Sequence, residues 1–284
     1  MRTQVNSGGN MIRAIETNLR CSPFKSTYQS KRLSSVRASN IQSRAVPRLQ
    51  PLDDSYEEWH TFKPYANWLV PGHVMLGRYP FVEPSRCLSR KQGEEQLSQI
   101  LNVGITTFVC LQDELPPQDM LKISGKDGFL PYKTTAELIQ AALNGPAPET
   151  EDLHALRTPA LNKFLPPKKK QASLVTNRKE LKFLHSPIVD LGLPSVEALQ
   201  KLLFDLETRL ESGEKLYIHC WGGRGRAGTV GACMLQRMYG VSVDESLERV
   251  QRAFSTRGDV QYKSPETDEQ FEFVRNYARL VASS

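Results

Sequence analysis

The chain has 284 residues, of which 39% are hydrophobic and 24% charged, with 18 Gly and 18 Pro. That length holds one sizeable domain with appendages, and the composition excludes a collagen-like, low-complexity or wholly disordered chain. No uncharged apolar run approaches the roughly 18 residues of a membrane-spanning helix, and mean hydropathy is −0.44. The formal net charge of +6 is unevenly divided. Residues 1–52 carry nine Lys/Arg against the single acid Glu16, a net of +8, while the other 28 basic and 30 acidic residues give −2. The body therefore has no basic footprint for nucleic acid. Five cysteines, Cys21, Cys87, Cys110, Cys220 and Cys233, contain no C-x-x-C. They make neither a disulfide framework nor a zinc ligand set, and they fit a reducing interior.

Residues 1–52 interleave serines with Arg13, Arg20, Lys25, Lys31, Arg32, Arg37, Arg44 and Arg48 and lack the apolar core of a secretory signal. This predicts an organellar transit peptide, plastid before mitochondrion; the alternative is a basic disordered tail on a cytoplasmic protein. The folded body is expected over 59–282. His60–Pro64 and Trp68–Pro71 read as irregular, and Val74–Leu76 as a short strand. Residues 90–103 predict a helix with Leu97, Ile100 and Leu101 on one side, closed by Gly104. Ile105–Leu111 is a β-branched and aromatic run suited to a buried strand.

Prolines break up residues 113–180, and Lys168–Lys170 forms a basic run, most simply a solvated one. The stretch reads as a long insertion with one helix, Thr135–Leu143. A strand pattern resumes at Leu181–Val189. Ser195 then caps a helix with Leu199, Leu202, Leu203, Leu206 and Leu210 inward, ended by Gly213. Lys215–Ile218 is a strand, Gly225–Tyr239 a helix stopped by Gly240, and Ser242-x-x-Glu245 a capping box opening another. Ser264-Pro265-Glu266 predicts the start of the last helix, with Pro at its first position. Strands alternating with helices predict an α/β domain: a mostly parallel central sheet flanked by helices, with a phosphate-binding loop between a strand and a helix.

That loop is His219-Cys220-Trp221-Gly222-Gly223-Arg224-Gly225-Arg226-Ala227-Gly228-Thr229. A strand ending at Cys220 puts its sulfur at the carboxyl edge of the sheet, where open α/β folds bind ligands. Gly222, Gly223 and Gly225 let the backbone curl so that successive N–H groups form an anion nest, and the following helix adds its positive end. Arg226 has the planar fork that grips two phosphate oxygens. Together these charges are expected to hold Cys220 as a thiolate nucleophile near neutral pH. Cys233, inside a helix, reads as an inert buried thiol.

His219-Cys220-x5-Arg226 resembles the signature of the cysteine-dependent protein tyrosine and dual-specificity phosphatases. The run from Cys220 to Arg226 is most similar to their kinase-associated phosphatase branch and its plant relatives. The likeness covers roughly residues 68–115 and 180–282 and leaves the tail and the insertion outside. It implies hydrolysis of phosphorylated proteins in two steps, without metal or cofactor. Cys220 attacks phosphorus, and Asp190, in a segment similar to the family's acid loop, protonates the leaving oxygen and then deprotonates water. His219 and Thr229 are expected to support the loop.

Two departures stand out. The residue after Arg226 is usually Ser or Thr but here is Ala227, which slows the second step unless Thr229 substitutes. The water-orienting Gln-Thr-x-x-Gln of tyrosine-specific members is matched by Glu266-Thr267-Asp268-Glu269-Gln270, which begins with Glu; a first-turn helix acid is the simpler reading of Glu266. Arg224 adds a second cation on the rim, as phosphoinositide and phospholipid phosphatases often have, so lipid head groups are an alternative substrate class. A phosphate-binding pseudophosphatase is another alternative, and a rhodanese-type sulfurtransferase is disfavoured by the glycine pattern and Asp190. In relatives a cysteine at the position of Cys110 can pair with the nucleophile under oxidant.

Overall fold

The computed structural model describes residues 46–114, 128–144, 180–258 and 261–283. Its strands are β1 (Ala66–Val70), β2 (Val74–Gly77), β3 (Thr107–Gln112), β4 (Lys182–Ile188) and β5 (Leu216–His219). They form a five-stranded sheet in the order β1-β2-β5-β3-β4. The β1–β2 pair is antiparallel and every other pair parallel. The described helices are α1 (Tyr56–His60), α2 (Arg90–Asn102), α3 (Lys133–Asn144), α4 (Val196–Glu211), α5 (Gly225–Tyr239), α6 (Val243–Ser255) and α7 (Asp268–Ser283). Among the described residues no helix is long and apolar enough to cross a membrane.

Alternation along the short strands decides which helix covers which side. Val74, Leu76, Val109, Leu111, Leu216 and Ile218 pack with the apolar stripes of α4 to α7. Met75, Phe108 and Tyr217, one step out of phase, pack with Leu97, Ile100 and Leu101 of α2 and with Ala136 and Ile139 of α3. The helix ends follow local chemistry: Ser195 and Ser242 accept the N–H groups of Ala198 and Glu245, and Gly240 closes α5 at φ +63°.

Several expectations need correction. Trp68–Pro71 is largely the strand β1, joined to β2 through Pro71-Gly72. Gly72 has φ +74° and His73 N–H donates to the Val70 carbonyl at 2.9 Å, the hydrogen bond and the proline–glycine pair of a type II turn. Ordered chain also begins before Trp59. Leu49 packs on the core, the Gln50 carbonyl accepts from Arg249 at 2.8 Å, and Glu57 pairs with Arg252. The last helix starts at Asp268, capped by Thr267 rather than opened by Pro265.

Residues 128–144, read from sequence as part of an insertion, contribute Phe129, Tyr132, Ala136 and Ile139 to the core. Lys168–Lys170, most of the tail and the rest of the insertion lie outside the described residues.

Ile139→Ala tests the place of α3 in the core. The side chain is 2% exposed, so the substitution is expected to cost about 2–4 kcal/mol by urea denaturation. A loss below about 0.5 kcal/mol, as for a surface appendage, would refute it.

Candidate active site

The loop from Cys220 to Arg224 leaves the carboxyl end of β5 and runs into α5, and its carbonyls are tied outward. The Trp221 carbonyl accepts from Tyr79 N–H at 2.9 Å, that of Gly222 from Arg257 at 3.3 Å, and that of Arg224 from Ser264 Oγ at 3.0 Å. Carbonyls held outward are the arrangement that turns successive N–H groups toward a common anion. Gly223 makes the curl possible. It has φ +69°, and a Cβ there would overlap the backbone carbonyl of Gly77, so only glycine fits. The first turn of α5 lies directly behind, adding the positive end of its dipole.

Cys220 is buried at the base of this loop and its thiol is free. Arg226, 2% exposed, is held on three sides. Its two terminal nitrogens donate to both oxygens of Glu114 at 2.8 Å, Nη1 donates to the Ile188 carbonyl at 3.0 Å, and Nη2 to Asp190 at 2.7 Å. Burial works against the charge on Arg226, but Glu114, the neighbouring Cys220 sulfur and Asp190 outweigh it and drive its pKa further up. The same contacts overcome the burial of Glu114 and hold its carboxyl below the usual range. Cys220, Arg226 and Asp190, chosen from sequence on separate grounds, thus meet in one place. Glu114 was missed, because it sits where the chain loses its strand pattern; an acid just past the end of β3, beside the nucleophile's strand, was the available signal.

Asp190 is half exposed and stands in a tight turn after β4, with Gly192 N–H donating to the Val189 carbonyl at 2.9 Å. Leu191, next to it, has φ +58°, a left-handed backbone that costs a leucine about 1 kcal/mol. Gln270 braces this turn. Its Nε2 donates to the Gly192 carbonyl at 3.2 Å while its Oε1 accepts from Glu266 and Thr267 N–H.

The supporting residues have specific partners. Trp221 donates its indole N–H to buried Glu83 at 3.0 Å and meets the edge of Phe129. Glu83 also accepts from Ser85 and Cys87, so hydrogen bonds outweigh burial and keep its carboxyl below the usual range. His219 Nε2 lies 2.9 Å from the Tyr132 hydroxyl in a box of aromatic rings. Thr229 gives its hydroxyl to the Gly225 carbonyl at 3.0 Å, not to the cysteine, and Ala227 offers none.

Glu266 precedes α7 instead of sitting in its first turn. It forms an ion pair with Arg224, whose guanidinium also stacks on Tyr262 at 4.6 Å. The second cation on the rim is therefore compensated. Cys110 pairs in register with His219, and burial pushes its thiol up to about 12.

A buried thiol at the base of a strand–loop–helix cradle, with a clamped arginine and a carboxylate at the rim, is an arrangement suited to holding a phosphate. Comparison with known proteins agrees. Residues 148–274 match the family model described as "PTP-SAK: Swiss Army Knife protein, DSP-PTPase phosphatase domain", a match that begins inside the stretch read as an insertion. Human cyclin-dependent kinase inhibitor 3 is 41% identical over 51 residues, 18% of this chain and 24% of that protein. The "Putative tyrosine phosphatase 197R" of Invertebrate iridescent virus 6 is 31% identical over 130 residues, 42% of this chain and 48% of that one. The chain thus spans about a quarter to a half of the length of these relatives. Among solved structures, Tk-PTP in its active form is similar at 24% identity, covering 77% of this chain and 99% of that one with a TM-score of 0.44. Residues 148–274 are thus similar to the DSP-PTPase domain, and parts of the chain to individual tyrosine and dual-specificity phosphatases.

Burial lowers the His219 pKa to about 3, so the imidazole under the loop is neutral. The unfolded chain takes up that proton near pH 6.5, whereas the native one resists it. Stability is therefore lost as pH falls from about 6.5 toward 3; His60, lowered to about 4 by burial, acts in the same sense. Thermal unfolding midpoints measured across this range should fall with acid, and His219→Asn should flatten the profile whatever its absolute Tm. An unchanged slope would contradict the assignment.

Proposed function

We infer that the chain is a phosphomonoester hydrolase of phosphorylated proteins, acting through a cysteinyl-phosphate intermediate. The observation that carries this reading is the convergence of buried Arg226 with Cys220 and Asp190 at the carboxyl edge of the sheet. The four hydrogens on the Arg226 terminal nitrogens are engaged by Glu114, Ile188 and Asp190. A phosphate entering the loop displaces Asp190, the most exposed of these partners, and Glu114 keeps the guanidinium aimed. The freed carboxyl then stands over the leaving oxygen.

In the first step the Cys220 sulfur attacks phosphorus. The bond from phosphorus to the leaving oxygen breaks, and that oxygen takes a proton from Asp190. In the second, water attacks phosphorus, Asp190 accepts its proton, and the P–S bond breaks to return the thiolate and release phosphate. With Ala227 bare and Thr229 engaged at Gly225, no hydroxyl at those positions helps the sulfur leave, so this step is the slower one. That feature supports a second reading, a phosphate-binding pseudophosphatase. The lipid-head-group alternative loses its main support, since Arg224 is paired with Glu266.

Hydrolysis of an aryl phosphate by three proteins separates enzyme from binder. The wild type is expected to turn over with an initial burst. Cys220→Ser is expected to be inactive but to retain phosphopeptide, and Asp190→Ala to lose about 10²–10⁴ in kcat. Equal rates in all three would exclude catalysis by this site.

The serine- and arginine-rich composition of residues 1–52 supports an organellar import segment, plastid before mitochondrion. A fluorescent protein fused behind residues 1–55 should enter the organelle; diffuse cytosolic fluorescence would refute the reading.

A further inference from the structure

The turn that carries Asp190 takes little of its position from the core. Val189, Leu191 and Leu193 are exposed around it, and Leu191 stands in the left-handed region at φ +58°. A strained, weakly packed turn keeps its shape only where other groups hold it. Among the described residues, two side chains from outside form hydrogen bonds with residues 189–193. Arg226 takes the Asp190 carboxylate at 2.7 Å, and Gln270 Nε2 donates to the Gly192 carbonyl at 3.2 Å. On the phosphatase reading the first contact opens when a phosphate takes the guanidinium. The second is free of that conflict and stays.

Gln270 is completely buried in the first turn of α7. Its Oε1 accepts from Glu266 N–H at 2.9 Å and from Thr267 N–H at 3.3 Å, and its own backbone N–H donates to the Thr267 hydroxyl at 3.2 Å. A Cβ on Gly225 would lie 3.1 Å from that Oε1, so the amide rests against the first residue of α5. One side chain thus fastens the acid turn to the helix behind the Cys220 loop. The same contacts decide what Gln270 does not do. A carbonyl oxygen has two lone pairs, and both are engaged by backbone N–H groups, so none is left to accept from an attacking water. Asp190 and Glu266 line the cleft over Cys220, and Gln270 does not.

We propose that Gln270 is a positioning residue for the first chemical step: it holds Asp190 where its proton reaches the leaving oxygen, and it does not orient the water of the second step. The inference rests on the reading of Cys220 as nucleophile and Asp190 as acid, and adds how that acid is held. In this step sulfur bonds to phosphorus and the P–O bond breaks. The electron pair of that bond stays on the leaving oxygen, and the Asp190 proton neutralises it.

The test uses the full chain and two aryl phosphates. Phenyl phosphate releases a phenol like that of tyrosine, with a pKa of about 10, and needs the proton; dinitrophenyl phosphate releases a stable anion and does not. With enzyme in excess, release of the phenol reports transfer to Cys220, and release of phosphate reports hydrolysis of the cysteinyl-phosphate. Gln270→Ala is expected to slow transfer about 10- to 100-fold from phenyl phosphate and less than about threefold from dinitrophenyl phosphate. At pH 7, Gln270→Glu keeps the acceptor for both backbone N–H groups and removes the donor to Gly192. It should show the same split even where Gln270→Ala is too unstable to assay. In an Asp190→Ala background either substitution should change the phenyl phosphate rate by less than about twofold, because the proton it misplaces is gone. Equal losses on both esters, or full additivity with Asp190→Ala, would overturn the proposal. So would a loss confined to phosphate release, which would give Gln270 to the water. A wild type that forms no cysteinyl-phosphate defeats the enzyme reading and this inference with it. One that turns over while both esters respond alike to the substitutions defeats the inference alone.

Discussion

The structure turns on one buried guanidinium. Arg226 lies in the first turn of α5 with almost no exposure, where an unpaired charge costs several kcal/mol. Its acceptors come from two other strands and the turns behind them: Glu114 follows β3, Ile188 ends β4 and Asp190 lies in the turn after it. Parallel pairing of β5 with β3 and of β3 with β4 brings those carboxyl ends to one edge. The sheet order is thus what makes the buried charge tolerable, and it sets that charge at the edge where open α/β folds bind ligands.

Around it the loop is braced from outside. Arg257 reaches from beyond α6 to the Gly222 carbonyl, the Leu76 carbonyl and Asn67, tying the loop to β1 and β2. Ser264 ties the start of α5, and Gly223 lies against Gly77 with no room for a side chain. These contacts order the loop before any ligand arrives, so little conformational entropy remains to be lost on binding. The acid turn is braced by a different residue, Gln270, and linked to the guanidinium through Asp190. A rigid cradle and a releasable carboxylate suit two steps that need a fixed anion site and a proton carrier able to shift.

Charge pairing also sorts the residues that sequence alone treats alike. Arg224, Arg226, Arg78 and Arg86 all border the site. Two are matched by carboxylates that converge from distant parts of the chain, whereas Arg78 and Arg86 share the cleft with Glu83 and form no salt bridge among the described residues. Partners such as Glu266 and Glu114 lie 42 and 112 residues from the arginines they meet, so no local pattern announces them.

The amino-acid sequence by itself determined what is local. The apolar stripe of α4, the serine caps of α4 and α6, the glycine stop of α5 and the loop from Cys220 to Arg226 follow from neighbours within a turn or two, where spacing and backbone preference act directly. Tertiary structure decided what depends on residues far apart. It made β1 a strand through pairing with β2, drew Phe129, Tyr132 and Ile139 into the core, and exchanged the expected help of Thr229 for a hydrogen bond to Gly225. It also set Glu114 on Arg226 and Glu266 on Arg224. Burial and ion pairing are properties of the folded surroundings, and spacing along the chain does not encode them.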